Sequence, residues 1–456
     1  MRFFLVKPAS CVKGEILLLG DKSIACRSII ISAISYGKTA VENFPSNKDC
    51  LSTLKVFKKL GIKITQNKNV KTITVFGNGL YGLKKPKGPI FVGNSGTTLR
   101  LTLGVLPGQN FTVTLTAGKS LSQRPMLRVT APLRMMGAQI RARRIPKTKN
   151  LTPNTKSEEY SPITIKGGRL NPIIYRMPIA SAQVKSAILL AGLYAEGKTR
   201  VIEPAKTRDH TERMLRLFKA DIKVAYRCPK DEGGQNTIVI KGKKELVSPG
   251  RIFIPGDISS ASFFMVLGTI LPNSRILIKN VNLNPSRIGI IKILKRMGAD
   301  IQVLGNSTVD FEPSGNIIIK SGKLKHTIIR KKEMPTLIDE LPILMVAACN
   351  ALGRSVFEGV EELRVKETDR IRSMSENLKK MGADIRVIKT PKSEKIIIRG
   401  GKGLIGATVK SFGDHRTAMS MVVAGLVAQG KTRIDNITCI NKSFPNFLSL
   451  LKTVIQ

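Results

Sequence analysis

One pattern recurs six times along this chain, and a chain built that way folds as a set of like units. Each turn of the pattern opens on a Gly- or Ser-rich polar loop, runs into an apolar helix and passes through a turn and strand. It mostly closes on a second helix that ends in a Gly-Ala-Asp-Ile-like turn. The openings are Gly20-Asp21-Lys22-Ser23, Gly93-Asn94-Ser95-Gly96, Ala180-Ser181-Ala182-Gln183, Gly256-Asp257-Ile258-Ser259, Asp339-Glu340-Leu341-Pro342 and Gly413-Asp414-His415-Arg416. Clear closings are Met136-Gly137-Ala138-Gln139-Ile140, Met297-Gly298-Ala299-Asp300-Ile301 and Met381-Gly382-Ala383-Asp384-Ile385. Openings about 73 to 87 residues apart are too widely spaced for a solenoid and too close for separate two-layer domains, so the units group three plus three.

Segments such as 187–193 and 419–426 are apolar nearly all round, which predicts buried helices. Alternating runs such as 237–240 and 316–319 read as strands. Helices buried beneath strands predict an inside-out α/β arrangement. The Ser248-Pro249-Gly250 breaker is read as the hinge, giving one lobe of 1–20 plus 249–456 and another of 21–248. The first 20 residues supply a strand, expected to pair with the C-terminal half. Segments 145–160 and 226–236 read as exposed hairpin tips.

The six cysteines, Cys11, Cys26, Cys50, Cys228, Cys349 and Cys439, form no Cys-x-x-Cys pair, and three histidines accompany them. A zinc site is not expected from that set, and a reducing cytoplasm fits it. No apolar run reaches the ~20 residues of a membrane span, so no membrane partner is expected. The net charge of +45, from 76 Lys plus Arg against 31 acids, points toward polyanions. Its cations are spread along the whole chain, however, with aromatics at 5% and no Trp, unlike single-strand binders that interleave cations with stacking rings. Nucleic acid is therefore not the expected main partner.

A polar loop opening a helix presents free N–H groups and a positive dipole end to an anion. One such loop reads equally well as a solvated N-cap with surface cations. If all the openings face one cleft, that cleft gathers Lys22, Ser23, Arg27, Asn94, Gly96, Arg100 and Arg124, then Ser181, Gln183 and Arg208. The second half adds Asp339, Lys366, Glu367, Asp369, Arg370, Arg416 and Lys442. Guanidinium forks suit bidentate phosphate or carboxylate binding, so the expected occupant is a pair of small anions. Carboxylates among those cations gain little from binding anions, which makes Asp339 and Glu367 the candidates for moving protons. Asp369 is read as a solvated ion pair.

Seven strings then occur in order: Gly20-Asp21-Lys22-Ser23-Ile24-x-x-Arg27, Asn94-Ser95-Gly96-Thr97-Thr98-x-Arg100, Arg124-Pro125-Met126, Ser181-Ala182-Gln183-Val184-Lys185-Ser186, Arg208-Asp209-His210-Thr211-Glu212, Arg364-Val365-Lys366-Glu367-Thr368-Asp369-Arg370 and Asp414-His415-Arg416. On these the chain resembles, along essentially its whole length, the 3-phosphoshikimate 1-carboxyvinyltransferase family of enolpyruvyl transferases. The resemblance implies a two-lobed inside-out α/β barrel of six βαβαββ repeats. It also implies transfer of the enolpyruvyl group of phosphoenolpyruvate to the 5-hydroxyl of shikimate 3-phosphate by a monomer without metal or organic cofactor. By position, Lys22, Ser23, Arg27, Ser181, Ala182, Gln183, Arg208, Asp339 and Lys366 would line the shikimate 3-phosphate side. Lys22, Gly96, Arg124, Gln183, Arg370, Arg416 and Lys442 would hold phosphoenolpyruvate. Asp339 resembles the proton acceptor, Glu367 the acid, and Lys22 a further catalytic group. Ala182 stands where part of the family carries a second Ser, and Gly96 implies sensitivity to glyphosate.

Two rivals remain at this point. A sister enzyme that enolpyruvylates UDP-N-acetylglucosamine often uses a loop Cys, whereas residues 118–124 contain none. A basic RNA-binding or RNA-end-processing protein on the same repeats would show tight, steeply salt-dependent RNA binding.

Overall fold

The structure, a computed structural model, describes residues 3–67, 70–146, 157–225, 236–309, 311–391 and 393–456. Most of the two segments read as hairpin tips, together with Cys228, therefore lies outside the described residues. The chain forms two compact units, Met1–Asp21 with Pro255–Gln456, and Lys22–Ile254.

The Lys22–Ile254 unit holds three four-stranded sheets of one design. In the second, Ile90–Phe91 runs parallel to Thr112–Thr116, which pairs antiparallel with Ser157–Lys166, which pairs with Gln139–Pro146. The helices Gly96–Val105 and Leu127–Met135 fall between the strands, so the order along the chain is βαβαββ. The first sheet borrows its leading strand: Arg251–Phe253 pairs parallel with Ala40–Glu42. That pairing corrects the boundary expected at 249. The Ser248-Pro249-Gly250 breaker is an internal turn of this unit, with Ser248 N–H donating to the Tyr36 carbonyl at 2.9 Å, and the chain leaves the unit after Ile254.

The other unit holds two four-stranded sheets and one of three strands. Here too the leading strand comes from afar: Lys13–Leu17 pairs parallel with Arg275–Asn282, and Phe4–Val6 pairs antiparallel with Thr432–Ile434. Asp21 belongs to this unit as well. Among the described residues no sheet closes into a barrel, and no helix is long and apolar enough to cross a membrane.

The sheets cover helices buried on every face. Ile258–Ile270, Leu341–Asn350 and His415–Val427 are buried almost throughout, as are Gly96–Val105 and Ala182–Gly192. The last two pack backbone to backbone: a Cβ at Gly104 would stand 2.4 Å from the Ala187 carbonyl oxygen, so glycine alone fits. Strands present one buried face, as in Ile238 and Ile240 at 1% and 0% exposure. The hairpin after each second helix begins at a left-handed residue: Gly137, Gly298 and Gly382. In the third repeat Lys219 takes the same conformation at φ 64°, so the turn survives the loss of its glycine.

Candidate functional site

In the Lys22–Ile254 unit the polar loops open the buried helices, and their side chains lock onto one another. Lys22 and Ser23 begin the helix Lys22–Ala33, with Lys22 Nζ 3.0 Å from Asp49 Oδ2. One turn on, Arg27 is 3% exposed and donates to Thr211 Oγ1 at 2.7 Å, Ser186 Oγ at 3.0 Å and the Ser23 carbonyl at 2.9 Å. Ser186 and Thr211 themselves share a hydrogen bond of 2.6 Å. The guanidinium is thereby held by hydroxyls from the helices Ala182–Gly192 and His210–Leu217, which fix its direction without neutralising it.

Ser95 caps the helix Gly96–Val105 by accepting from Thr98 N–H, and Ser181 does the same for the helix Ala182–Gly192. Arg100 donates to Gln183 Oε1 at 2.6 Å, while Gln183 Nε2 donates to Thr97 Oγ1 at 3.0 Å. A Cβ on Gly96 would stand 3.1 Å from Arg124 Nη1 and 3.3 Å from Arg100 Nη1. Two guanidiniums therefore lie against the glycine that opens this helix, a strong local field for an anion. Ala182 is the first residue of its helix, and Arg208 is half-buried just before His210–Leu217.

In the other unit the order is reversed, with carboxylates gathered on arginines. Arg370, 1% exposed, donates to Asp414 Oδ2 at 3.0 Å, to Glu367 Oε2 at 2.5 Å and to Asp339 Oδ1 at 3.4 Å. Burial opposes its charge, but Asp414, Glu367 and Asp339 outweigh that and raise its pKa. Asp414 is wholly buried and caps the helix His415–Val427 through the N–H groups of Arg416 and Thr417. Arg416 Nη1 donates to the Asp339 carbonyl at 2.8 Å, and its Nη2 lies 3.9 Å from Asp339 Oδ2. Lys442 Nζ donates to the Gly413 carbonyl at 2.9 Å. Burial pushes the Lys366 ammonium below its usual range, against the pull of Asp339 and Glu362. Asp369 caps the helix Arg370–Lys380 and pairs with Arg364.

Two buried charge clusters, one in each unit, escaped the sequence reading of the cleft. Arg287 is buried, 3.0 Å from Asp21 Oδ2 and 3.5 Å from Asp257 Oδ1. Burial and the nearby Asp21 push the Asp257 carboxyl up, against Arg287. In the Lys22–Ile254 unit, Lys185 is fully buried with its Nζ 2.6 Å from Glu212 Oε1 and 3.0 Å from Glu203 Oε1. A charged residue inside an apolar helical run, such as Lys185, was the available signal, because it is buried only when paired.

A family model described as EPSP synthase (3-phosphoshikimate 1-carboxyvinyltransferase) matches residues 6–451. The 3-phosphoshikimate 1-carboxyvinyltransferase of Petrotoga mobilis is 45% identical over 451 residues, 98% of this chain and 98% of that protein. The solved EPSP synthase of Acinetobacter baumannii, 41% identical, aligns with a TM-score of 0.82 over 99% of this chain and 98% of its own. The enolpyruvyl transferase NikO of Streptomyces tendae, at 15% identity, has a TM-score of 0.74 over 100% and 98% and shares the fold.

Proposed function

The chain belongs to the EPSP synthase family, and from that membership we propose that it transfers the enolpyruvyl group of phosphoenolpyruvate to the 5-hydroxyl of shikimate 3-phosphate. The product leads through the shikimate pathway to aromatic amino acids. In the addition step the hydroxyl oxygen bonds to C2 of phosphoenolpyruvate, Asp339 takes the hydroxyl proton, and Glu367 delivers a proton to the C3 methylene. The resulting ketal carries both the shikimate 5-oxygen and the phosphate on C2. In elimination the C2–O bond to phosphate breaks, the carboxylate left on Glu367 takes a proton back from the new methyl group, and the proton held by Asp339 leaves with the phosphate.

The graded exposure of the carboxylates on Arg370 supports these roles. Asp414 is closed off at 0%, whereas Asp339 and Glu367 are 20% and 23% exposed on the same guanidinium. The buried acid serves as a fixed counter-ion, and the two reachable ones are left to exchange protons with a ligand. Arg27, with Ser23, Ser181, Ala182, Gln183, Arg208 and Lys366, would bind shikimate 3-phosphate. Arg124, against Gly96, would bind phosphoenolpyruvate with Arg370, Arg416 and Lys442, and Lys22 would touch both substrates. The chain would work as a monomer in the cytoplasm.

Phosphate release tests the proposal. Turnover is expected with phosphoenolpyruvate plus shikimate 3-phosphate, and none when UDP-N-acetylglucosamine replaces the acceptor. Release with the UDP-sugar alone would overturn it.

A further inference from the structure

The mechanism above leaves unused the carboxylate that follows Asp339 directly in the chain. Glu340 is fully buried at the N-terminus of the helix Leu341–Asn350. Its Oε1 accepts from the hydroxyl of Ser259, and Ser259 Oγ in turn accepts from Arg287 Nη2 at 2.8 Å. With an N–H already pointed at its oxygen, the serine turns its single proton toward Glu340. The same Oε1 lies 3.8 Å from Arg416 Nη1, the nitrogen that donates to the Asp339 carbonyl. Glu340 Oε2 is buried with no hydrogen-bond partner among the described residues. The acid is thus pinned by Ser259 about 1 Å beyond a charge-assisted bond to Arg416.

We propose that Glu340 is a positioning residue for Arg416: a fixed counter-charge that holds the guanidinium on the Asp339 carbonyl and limits how tightly it grips phosphate. The proposal rests on placing phosphoenolpyruvate at Arg416. Three buried arginines of this unit each have an acid in reserve. Arg287 has Asp21 and Asp257, Arg370 has Asp414, and Arg416 has Glu340. Asp339 also stands near Arg416, but its charge vanishes when it takes the hydroxyl proton. Glu340 exchanges no proton in that step, so Arg416 keeps a counter-ion while the phosphate departs.

The test is a calorimetric titration with inorganic phosphate, beside steady-state kinetics with phosphoenolpyruvate. Glu340→Gln keeps the oxygen that accepts from Ser259 and removes the charge, so phosphate should bind about tenfold tighter. The KM for phosphoenolpyruvate should fall together with kcat, as phosphate leaves more slowly. A purely structural role would loosen the site and weaken phosphate binding instead. Weaker or unchanged binding in a Glu340→Gln protein of native melting temperature overturns the proposal. If that variant does not fold, Ser259→Ala decides. The released carboxylate should swing onto Arg416 and weaken phosphate binding about threefold to tenfold, and tighter or unchanged binding overturns the proposal. Phosphate titration reads this outcome whether or not the chain turns over, so a wild type inactive toward phosphoenolpyruvate would overturn the functional reading separately.

Discussion

Replacing Lys185 by methionine would leave Glu212 and Glu203 facing each other in the interior of the Lys22–Ile254 unit without the ammonium now 2.6 Å and 3.0 Å from them. Breaking a buried pair by removing one partner costs about 3–5 kcal/mol, because the surviving charge stays desolvated. A domain of this size loses about 2–4 °C of melting temperature per kcal/mol, so this unit should melt roughly 6–20 °C lower. Calorimetry at pH 8 measures the shift directly. The deficit should shrink toward pH 5 as the stranded Glu212 carboxyl, already pushed up by burial, takes up a proton. A fall of under about 3 °C at pH 8 would refute the claim that the cluster is held by charge. Glu212→Gln probes the same cluster from the acidic side. Burial raises the Glu212 pKa above its usual 4.5, so the native state holds more protons than the unfolded chain, and stability falls as pH rises through that window. The glutamine variant should lose that slope and keep native stability at neutral pH. Thr211 and Ser186, which grip Arg27, sit beside Glu212 and Lys185 in the chain, so Lys185→Met should also raise the KM for shikimate 3-phosphate.

Asp339→Asn should lower kcat by roughly 10²- to 10⁴-fold with little change in either KM, as expected for losing a general base, and unchanged turnover would remove Asp339 from that role. Arg27→Ala should raise the KM for shikimate 3-phosphate by roughly 10- to 100-fold, at about 1.5–3 kcal/mol per charge-assisted bond, and a normal KM would contradict the assignment. Gly96→Ala should fold normally. Its Cβ must move Arg124 by a few tenths of an ångström, which should raise the KM for phosphoenolpyruvate several-fold and leave that for shikimate 3-phosphate near native.

Most openings of the repeats were legible because they obey a local rule: a capping Ser or Asp followed by an apolar run. Ser95, Ser181, Asp257 and Asp414 all cap the helices that rule predicts. What the sequence concealed depends on chain returning from a distance. The strand Arg251–Phe253 is too short to announce which sheet it joins, and only its register with Ala40–Glu42 assigns it. Glu340 and Arg287 look like ordinary polar loop residues until chain from elsewhere meets them, Ser259 and Arg416 at Glu340 and Asp21 at Arg287. Lys185 sits inside a motif, but its partners Glu203 and Glu212 lie on other elements, so no local pattern points to its pairing.

The exchange of leading strands sets a schedule for synthesis. By the time Ile254 is made, the Lys22–Ile254 unit has every strand it needs. Lys13–Leu17, emerging far earlier, must wait for Arg275–Asn282, a delay of roughly 10–50 s at the usual pace of translation. Phe4–Val6 waits longer still, for Thr432–Ile434. These two early strands are thus among the last to find their places, and during that interval their unpaired edges are what a chaperone would meet.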